Sequence, residues 1–371
     1  MLSAFIIVPE IALAKAKAKP DLPLAVAPAM NIIFTDIYCF FYHSSKLALI
    51  DIEEHISSNK KESTVMEIVI TIVSDPHLKP LTADEVNHSI KLLETVGGKL
   101  SGKTMLGDNE AVDLFFTGID ENRAKNTLSN QFANQPVDFF CAELCAELNA
   151  NFPRRKKMLV ADMDSTILTV ECIDEIADML GIKDKVATIT EAAMRGELDF
   201  AASLIQRVAL LKGLAATKLD EVYENHIHLS YGAKTLIKTM NKNGASTHLL
   251  SGGFTFFSEK VAKEVGFSQN VANVLEVKNN ILTGKVIEPI FDAEAKRQLL
   301  IAEREKNNLQ RQDVLAVGDG ANDIPMILEA GLGVAYNAKP KTAAQAAAKI
   351  NHTSLETLLF YQGFKRAEFV I

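Results

Sequence analysis

From Lys157 onward the chain repeats one pattern: a short, wholly apolar run, a polar or glycine-rich loop, then apolar residues at helical spacing. Met158–Ala161, Ser246–Leu250 and Val314–Val317 are three such runs. Strands without polar alternation are buried on both faces, which predicts a parallel sheet flanked by helices. Ligands of such sheets bind at the carboxyl ends of the strands. Between Glu171 and Asn225 strand signal disappears. Helical spacing runs through Cys172–Leu180, Lys185–Met194, Phe200–Leu211 and Leu219–Asn225, an all-helical insertion just after the first strand. Val271–Ile287 alternates around Asn279 and Asn280 and predicts a β-hairpin.

Residues 65–150 carry a different pattern. Glu67–Val73, Val112–Phe116 and Val137–Ala142 read as strands. Leu81–Val96, with Val86, Ile90 and Leu93 on one side and Thr82 as cap, and Asn122–Phe132 read as helices. The order fits a small ferredoxin-like, ACT-like α/β domain. By fold analogy alone it suggests an amino-acid effector bound by residues 65–150. Residues 1–64 hold four of the eleven prolines within the first 28 positions and a polar stretch at 57–63. They read as a poorly ordered extension, with Met30 or Met66 as alternative translation starts. Gly97–Thr104 matches the phosphate-loop pattern G-x-x-x-x-G-K-[ST] letter for letter. That chemistry needs a strand before the loop and a helix after it. Here a helical pattern runs into it, so the segment reads as a flexible glycine-rich turn.

Composition narrows the classes. The chain has 371 residues, enough for two domains, with 48% hydrophobic and 23% charged residues. A net charge of −8 without a basic block argues against nucleic acid as a partner. It also means that an anionic substrate must be met by local positive charge. Cys39, Cys141, Cys145 and Cys172 are sparse, which suits a reducing cytoplasm. Cys141 and Cys145 stand one helical turn apart, but two further soft ligands are missing. Two small buried residues on one helix face is the better account of them. Leu2–Val8 is interrupted by Pro9 and Glu10, and Leu22–Thr35 is too short to span a bilayer, so no membrane anchor is expected.

The chemistry concentrates at the ends of the three apolar runs. Asp162-Met163-Asp164-Ser165-Thr166 follows the first. One carboxylate can attack phosphorus to give an acyl phosphate while the other handles protons. An anion attacking a dianion needs a divalent cation. Ser251-Gly252-Gly253 follows the second run, a hydroxyl with glycine amides that can cradle phosphate. Lys296, in the helical segment Glu294–Glu305, can reach that phosphate as a point charge. Gly318-Asp319-Gly320-Ala321-Asn322-Asp323 follows the third run and offers the hard oxygen ligands that magnesium prefers. His226 and His228 would suit a soft metal, but the rest of the site is oxygen.

These four motifs, in this order, resemble those of the haloacid-dehalogenase superfamily, from about Arg155 to the C-terminus. The helical insertion resembles that family's small cap. The stretches Glu171–Glu175, Met194–Gly196, Asp199-Phe200, Arg207-Val208, Ser251–Phe257 and Gly318–Met326 resemble the branch that hydrolyses phosphoserine. The resemblance implies an α/β fold: a Rossmannoid parallel sheet at 155–371 with a helical cap at about 171–230. It implies release of serine and phosphate from O-phosphoserine with Mg2+, as the last step of serine biosynthesis. Asp162 would be the nucleophile and Asp164 the general acid and then base. Asp162, the Asp164 backbone carbonyl and Asp319 would hold the metal, with Asp323 behind them. Ser251, Gly252, Lys296 and Asn322 would hold the phosphoryl group. Glu171 would meet the substrate ammonium and Arg207 its carboxylate, under a roof of Met194 and Phe200. The family often has proline where Tyr231 stands, and residues before 150 match it weakly. Two rival readings stay open: transfer to another alcohol such as homoserine or action on another small phosphomonoester, and a non-catalytic amino-acid-binding regulator. A homodimer is the remaining partner expectation.

Overall fold

In the computed structural model the described residues are 67–144, 154–194 and 197–371, without the side chain of Met194. The extension expected at 1–64, its alternative starts, Cys39, Cys145, Arg195 and the segment 145–150 lie outside them.

The first module runs β1 (Glu67–Ser74), α1 (Ala83–Thr95), β2 (Lys99–Gly107), β3 (Ala111–Thr117), α2 (Glu121–Gln131) and β4 (Val137–Leu144). Its antiparallel sheet has the order β2-β3-β1-β4, the ferredoxin-like arrangement expected from the sequence. Helix α1 starts where Thr82 predicted. The Thr82 hydroxyl accepts from the Glu85 amide (3.2 Å) and the Glu85 carboxylate accepts from the Thr82 amide (3.0 Å). Both helices lie on one face, where Ile68, Ile70, Ile72, Leu93, Phe116 and Leu128 form a core.

The expected turn at Gly97–Thr104 is instead mostly strand. β2 is an edge strand with a register shift between Leu100 and Gly102, opposite Phe116 and Phe115. Gly98, just before it, serves close approach: a Cβ there would stand 2.9 Å from the Leu93 carbonyl oxygen and from the Phe116 ring. Most of the side chains of β2 are solvated, so it lacks the apolar pattern of a core strand. No helix follows it, so the phosphate-loop reading fails on context as expected. Cys141 lies in β4, a strand, and not on a helix with Cys145. An apparent i,i+4 spacing carried no helical periodicity there.

The second module runs β5 (Met158–Ala161), α3 (Cys172–Met179), α4 (Lys183–Met194), α5 (Phe200–Ala209), α6 (Thr217–His226), α7 (Ala233–Lys242), β6 (Ser246–Phe254) and α8 (Thr255–Val265). It continues through β7 (Gln269–Lys278), β8 (Ile281–Ile287), α9 (Ala293–Lys306), β9 (Val314–Gly318), α10 (Ile324–Glu329), β10 (Leu332–Tyr336), α11 (Pro340–Ala343), β11 (Ala348–Ile350) and α12 (Thr357–Tyr361). The sheet order is β11-β10-β9-β5-β6-β7-β8, parallel except for β7 with β8. β5 is central, so the three motif-bearing strands β9, β5 and β6 are neighbours and end side by side. Helices α3 to α6 form the insertion after β5. The hairpin turns at Asn279 and Asn280, both with positive φ. Its first strand also pairs with β6, which makes the hairpin the edge of the main sheet.

The second face of the four-stranded sheet packs on the larger module. β1 is therefore buried on both faces, and its run Ile68–Val73 is apolar except for Thr71. Polar residues on that face act as staples. The Arg154 guanidinium donates to both Asp113 oxygens (2.5 and 2.8 Å), to the Thr71 hydroxyl (2.6 Å) and to the Tyr361 carbonyl (3.0 Å). Asp138, buried on β4, accepts from the amides of Asn351 (2.9 Å), His352 (3.0 Å) and Thr353 (2.9 Å) and from the Thr353 hydroxyl (2.7 Å). A buried carboxylate with four donors is well compensated, and removing it orphans three backbone amides. Asp138→Ala is expected to lower the unfolding free energy by about 2–4 kcal/mol. Urea denaturation checks this, and Asp138→Asn should recover part of the loss.

Candidate active site

The chain leaves β5 at Asp162 and turns through a wide helical turn at Met163–Ile167, closed by the Leu168 amide on the Met163 carbonyl (2.8 Å). Ser165 adopts φ 55° within it. The turn places the carboxylates of Asp162 and Asp164 on different partners. Asp164 accepts from the Cys172 amide through Oδ1 (2.8 Å) and from the Ser251 hydroxyl through Oδ2 (3.1 Å). Asp162 Oδ1 accepts from Lys296 Nζ at 2.5 Å, and the same ammonium donates to Asp323 Oδ1 at 2.8 Å. Asp323 Oδ2 accepts from the Gly320 amide (3.0 Å). Gly318 permits this fold-back, since a Cβ there would stand 2.5 Å from the Asp323 side chain. Lys296 is fully buried, against the simple expectation for a helix lysine.

Asp162, Asp319 and Asp323 are all buried, and one oxygen from each lies within 4.8 Å of the others. Burial, and then the neighbouring Asp323, push the Asp162 carboxyl well above the usual carboxylate range, while Lys296 opposes this. Burial and Asp323 push Asp319 up to about 6. Burial alone would lower Lys296, but Asp162 and Asp323 outweigh it and hold its ammonium charged. Three carboxylates against one ammonium leave an excess of buried negative charge. A hard oxygen set with that excess fits a divalent cation. Among the described residues no other group of three or more acidic, His or Cys side chains has such an arrangement. His226 pairs with Glu175 across the cap (3.2 Å).

Opposite the carboxylates stands the loop at the end of β6. The Ser251 hydroxyl accepts from the Gly253 amide (2.8 Å) while donating to Asp164. A Cβ on Gly253 would stand 2.6 Å from Asp164 Oδ2, and one on Gly252 3.1 Å from the Phe200 ring. Phe200 of the cap therefore covers this loop, as the sequence suggested. Asn273 on β7 was missed. It is buried, donates to the Gly252 carbonyl (3.0 Å) and the Phe291 carbonyl (3.1 Å), and accepts from the Phe291 amide (2.7 Å). The one available signal was a polar residue interrupting the apolar start of the hairpin. Thr166, quoted in the motif without a role, donates toward Asp319 at 3.4 Å.

The cap contributes Glu171 and Arg207. The Ser165 hydroxyl donates to Glu171 (3.0 Å), and burial followed by the Asp164 charge pushes its carboxyl up to about 7. Burial pulls Arg207 below its ordinary value, against the charges of Glu171, Asp174 and Asp164. The guanidinium thus stands in the field of the same acidic groups that surround Glu171. Asn322 is half-buried on the turn Ala321–Asp323, beside Gly320. The side chain of Met194 lies outside the described residues. Burial pushes the Cys141 thiol up to about 12 and that of Cys172 well above its usual range, so both are unreactive.

Residues 159–328 match the model of the haloacid dehalogenase-like hydrolases. The phosphoserine phosphatase of Polaromonas sp. (strain JS666) is 46% identical over 208 residues, 55% of this chain and 88% of that protein. The chain belongs to this family of hydrolases, among its phosphoserine phosphatases. Two solved structures extend the likeness beyond the catalytic module. A HAD family hydrolase of Salmonella enterica serovar Typhi superposes with a TM-score of 0.69 at 29% identity, over 80% of this chain and 98% of that one. A probable phosphoserine phosphatase from Vibrio cholerae gives 0.63 at 28% identity, over 80% and 86%. A share of 80% cannot come from residues 154–371 alone, so the four-stranded module is part of the match. No helix of the described residues is long and apolar enough to cross a membrane.

A cation binds the ionised form of these carboxylates, and Asp319 without one titrates at about 6. Affinity should therefore be full above that value and fall as pH drops through it. Addition of Mg2+ is expected to raise Tm at about pH 7.5 and to raise it much less at about pH 5. In Asp319→Asn the shift should vanish at both. Differential scanning calorimetry checks both outcomes.

Proposed function

We propose that the chain hydrolyses O-phospho-L-serine to L-serine and phosphate, using Mg2+ and an aspartyl-phosphate intermediate on Asp162. The observation that carries this reading is the charge arrangement. A buried triad of carboxylates, only partly balanced by one lysine, stands below a cap that supplies one carboxylate and one guanidinium at separate points. The triad suits phosphoryl chemistry, and the cap pair matches the ammonium and carboxylate of an amino-acid phosphate.

In this reading Asp162 attacks phosphorus, and Asp164 gives its proton to the departing serine oxygen. Asp164 then takes a proton from the water that cleaves the acyl phosphate. Ser251, the Gly252 amide, Lys296 and Asn322 hold the phosphoryl oxygens. Asp162, the Asp164 carbonyl and Asp319, with Asp323 alongside, would hold Mg2+, whose charge would screen the repulsion between the carboxylate and the phosphate. Glu171 takes the ammonium and Arg207 the carboxylate, and Phe200 excludes water above the loop. The raised Glu171 is suited to this task, because an arriving ammonium stabilises its ionised form. We assign residues 65–150 to the small α/β domain and 155–371 to the phosphatase domain, with the cap at about 171–230. Buried free thiols at Cys141 and Cys172 suit a reducing cytoplasm.

The test is phosphate release from a panel of small phosphomonoesters, with Mg2+ or with EDTA. Phosphoserine should be preferred and EDTA should abolish turnover. Preference for another ester would overturn the substrate, and transfer to added homoserine in place of water would overturn the hydrolase.

Two variants read the roles separately. Asp162→Asn should abolish turnover of every substrate, while Asp164→Asn should lose roughly 10²–10⁴-fold on phosphoserine and much less on an aryl phosphate, whose leaving group needs no proton. Steady-state kinetics on both esters check this. Arg207→Ala should lower kcat/KM for phosphoserine by roughly 30-fold or more, the cost of leaving a buried charge partner unpaired. It should barely change hydrolysis of an aryl phosphate. Equal loss on both esters would mean that the cap is disturbed and that Arg207 reads no carboxylate.

A further inference from the structure

A cavity of about 580 Å³ lies away from the carboxylate triad, at the seam between the four-stranded sheet and the phosphatase domain. Its walls come from the end of β1 and the loop after it, from Glu110, from Tyr231 where the cap returns to the core, and from residues 353–366. The volume is that of an organic ligand site, far larger than an ion needs.

The charges on its walls are unequal. Asp75, Glu110 and Glu356 face one guanidinium, that of Arg366. Arg366 is already committed. It donates to Glu356 Oε2 (2.6 Å), to Glu110 Oε2 (2.9 Å) and also to Glu110 Oε1. An anion entering the cavity would have to displace one of these carboxylates. Asp75 is different: it is half-buried, it accepts from the His77 amide (2.8 Å), and no ion pair to it is formed among the described residues. Ser74, Thr353, Ser354 and Thr357 add hydroxyls that can accept a hydrogen bond, and His77 adds an imidazole to the wall. Val73, Pro76 and Phe360 supply apolar wall. Tyr231 is 75% exposed, an unusual place for a large aromatic ring unless it covers something.

We propose that this cavity binds a small organic amine, its ammonium on Asp75 and its carbon chain against the apolar wall, with the ring of Tyr231 over it. Excess acid with one carboxylate that forms no ion pair among the described residues selects a cation, and the volume and apolar wall select an organic one. The site would also bear on the cap. Tyr231 precedes Gly232, which has φ 85° and whose missing Cβ makes room for Glu356. The Leu355 amide donates to the Tyr231 carbonyl (3.2 Å). An occupant under Tyr231 therefore touches the segment through which the cap joins the core.

The experiment is isothermal titration of the full chain, saturated with Mg2+, with 1,4-diaminobutane and with succinate, a dianion of the same length. The diamine should bind with a stoichiometry of one, and succinate should give no saturable heat. Asp75→Asn, an isosteric change in a loop, should weaken the diamine roughly ten- to a hundredfold. Tyr231→Ala should weaken it too, with Tm of both variants unchanged. Because the catalytic site is also acidic, Glu171→Gln is the control and should leave diamine binding intact. Absence of saturable binding at ~10 mM diamine overturns the proposal. So does equal binding of succinate, indifference to Asp75→Asn, or loss of binding in Glu171→Gln.

Discussion

One ammonium group in the interior organises the site. Lys296 spans Asp162 and Asp323, and with it the ends of β5 and of the loop after β9 are held at hydrogen-bond distance. Without that charge two buried carboxylates would repel across the centre of the sheet. With it, Asp162 keeps a fixed position and Asp319 remains as the uncompensated member of the triad. The price of burying so many charges is met locally, by the Gly320 amide on Asp323 and by two donors on Asp164. The rest of the catalytic module can be understood as the scaffold that brings this lysine, from α9, to strand ends more than a hundred residues earlier in the chain.

The contrast between the surroundings of Asp162 and Asp164 follows from the same geometry. Both leave β5 within three residues, but their surroundings differ in kind. Asp162 faces a lysine and other acids. Asp164 faces a hydroxyl and a backbone amide, one from Ser251 at the end of β6 and one from the first turn of the cap. Its environment therefore changes whenever the cap or the loop moves, and that of Asp162 does not. Glu171, next to the cap amide that Asp164 accepts from, sits on the same joint.

The sequence made much of this legible, and the limits are instructive. Asp162, Asp164, Ser251 and Asp319 could be singled out because each follows an apolar run, and the structure brings Lys296 from α9 onto Asp162. Their convergence follows from strand order, which β5 fixes as the centre. Asn273 was not readable, since it acts by holding the Gly252 carbonyl, and one polar residue in a hairpin carries no local mark of that. β2 was mistaken for a turn because an edge strand has no buried face to impose alternation. β11 was missed because its three residues are flanked by alanines and polar residues that satisfy no strand template, whereas β10 is as long and as buried as β9 and was overlooked. Lys296 as a fully buried residue could not be foreseen from its helix, whose neighbours at Arg297 and Gln298 are polar.

The stapled face of the four-stranded sheet has a consequence for how such chains can be shortened. Asp138 satisfies the loop after β11, and Arg154 ties Asp113 to the carbonyl of Tyr361. Tyr361 and Phe360 are buried partly by β1 and β4. The small module is thus a lid on the bottom of the catalytic one. A smaller relative built on the catalytic half alone must rewrite that surface, replacing exposed aromatic rings with polar ones and finding new donors for three amides. Truncation of this chain at residue 154 without such rewriting would leave an apolar face with three unsatisfied amides near the C-terminus.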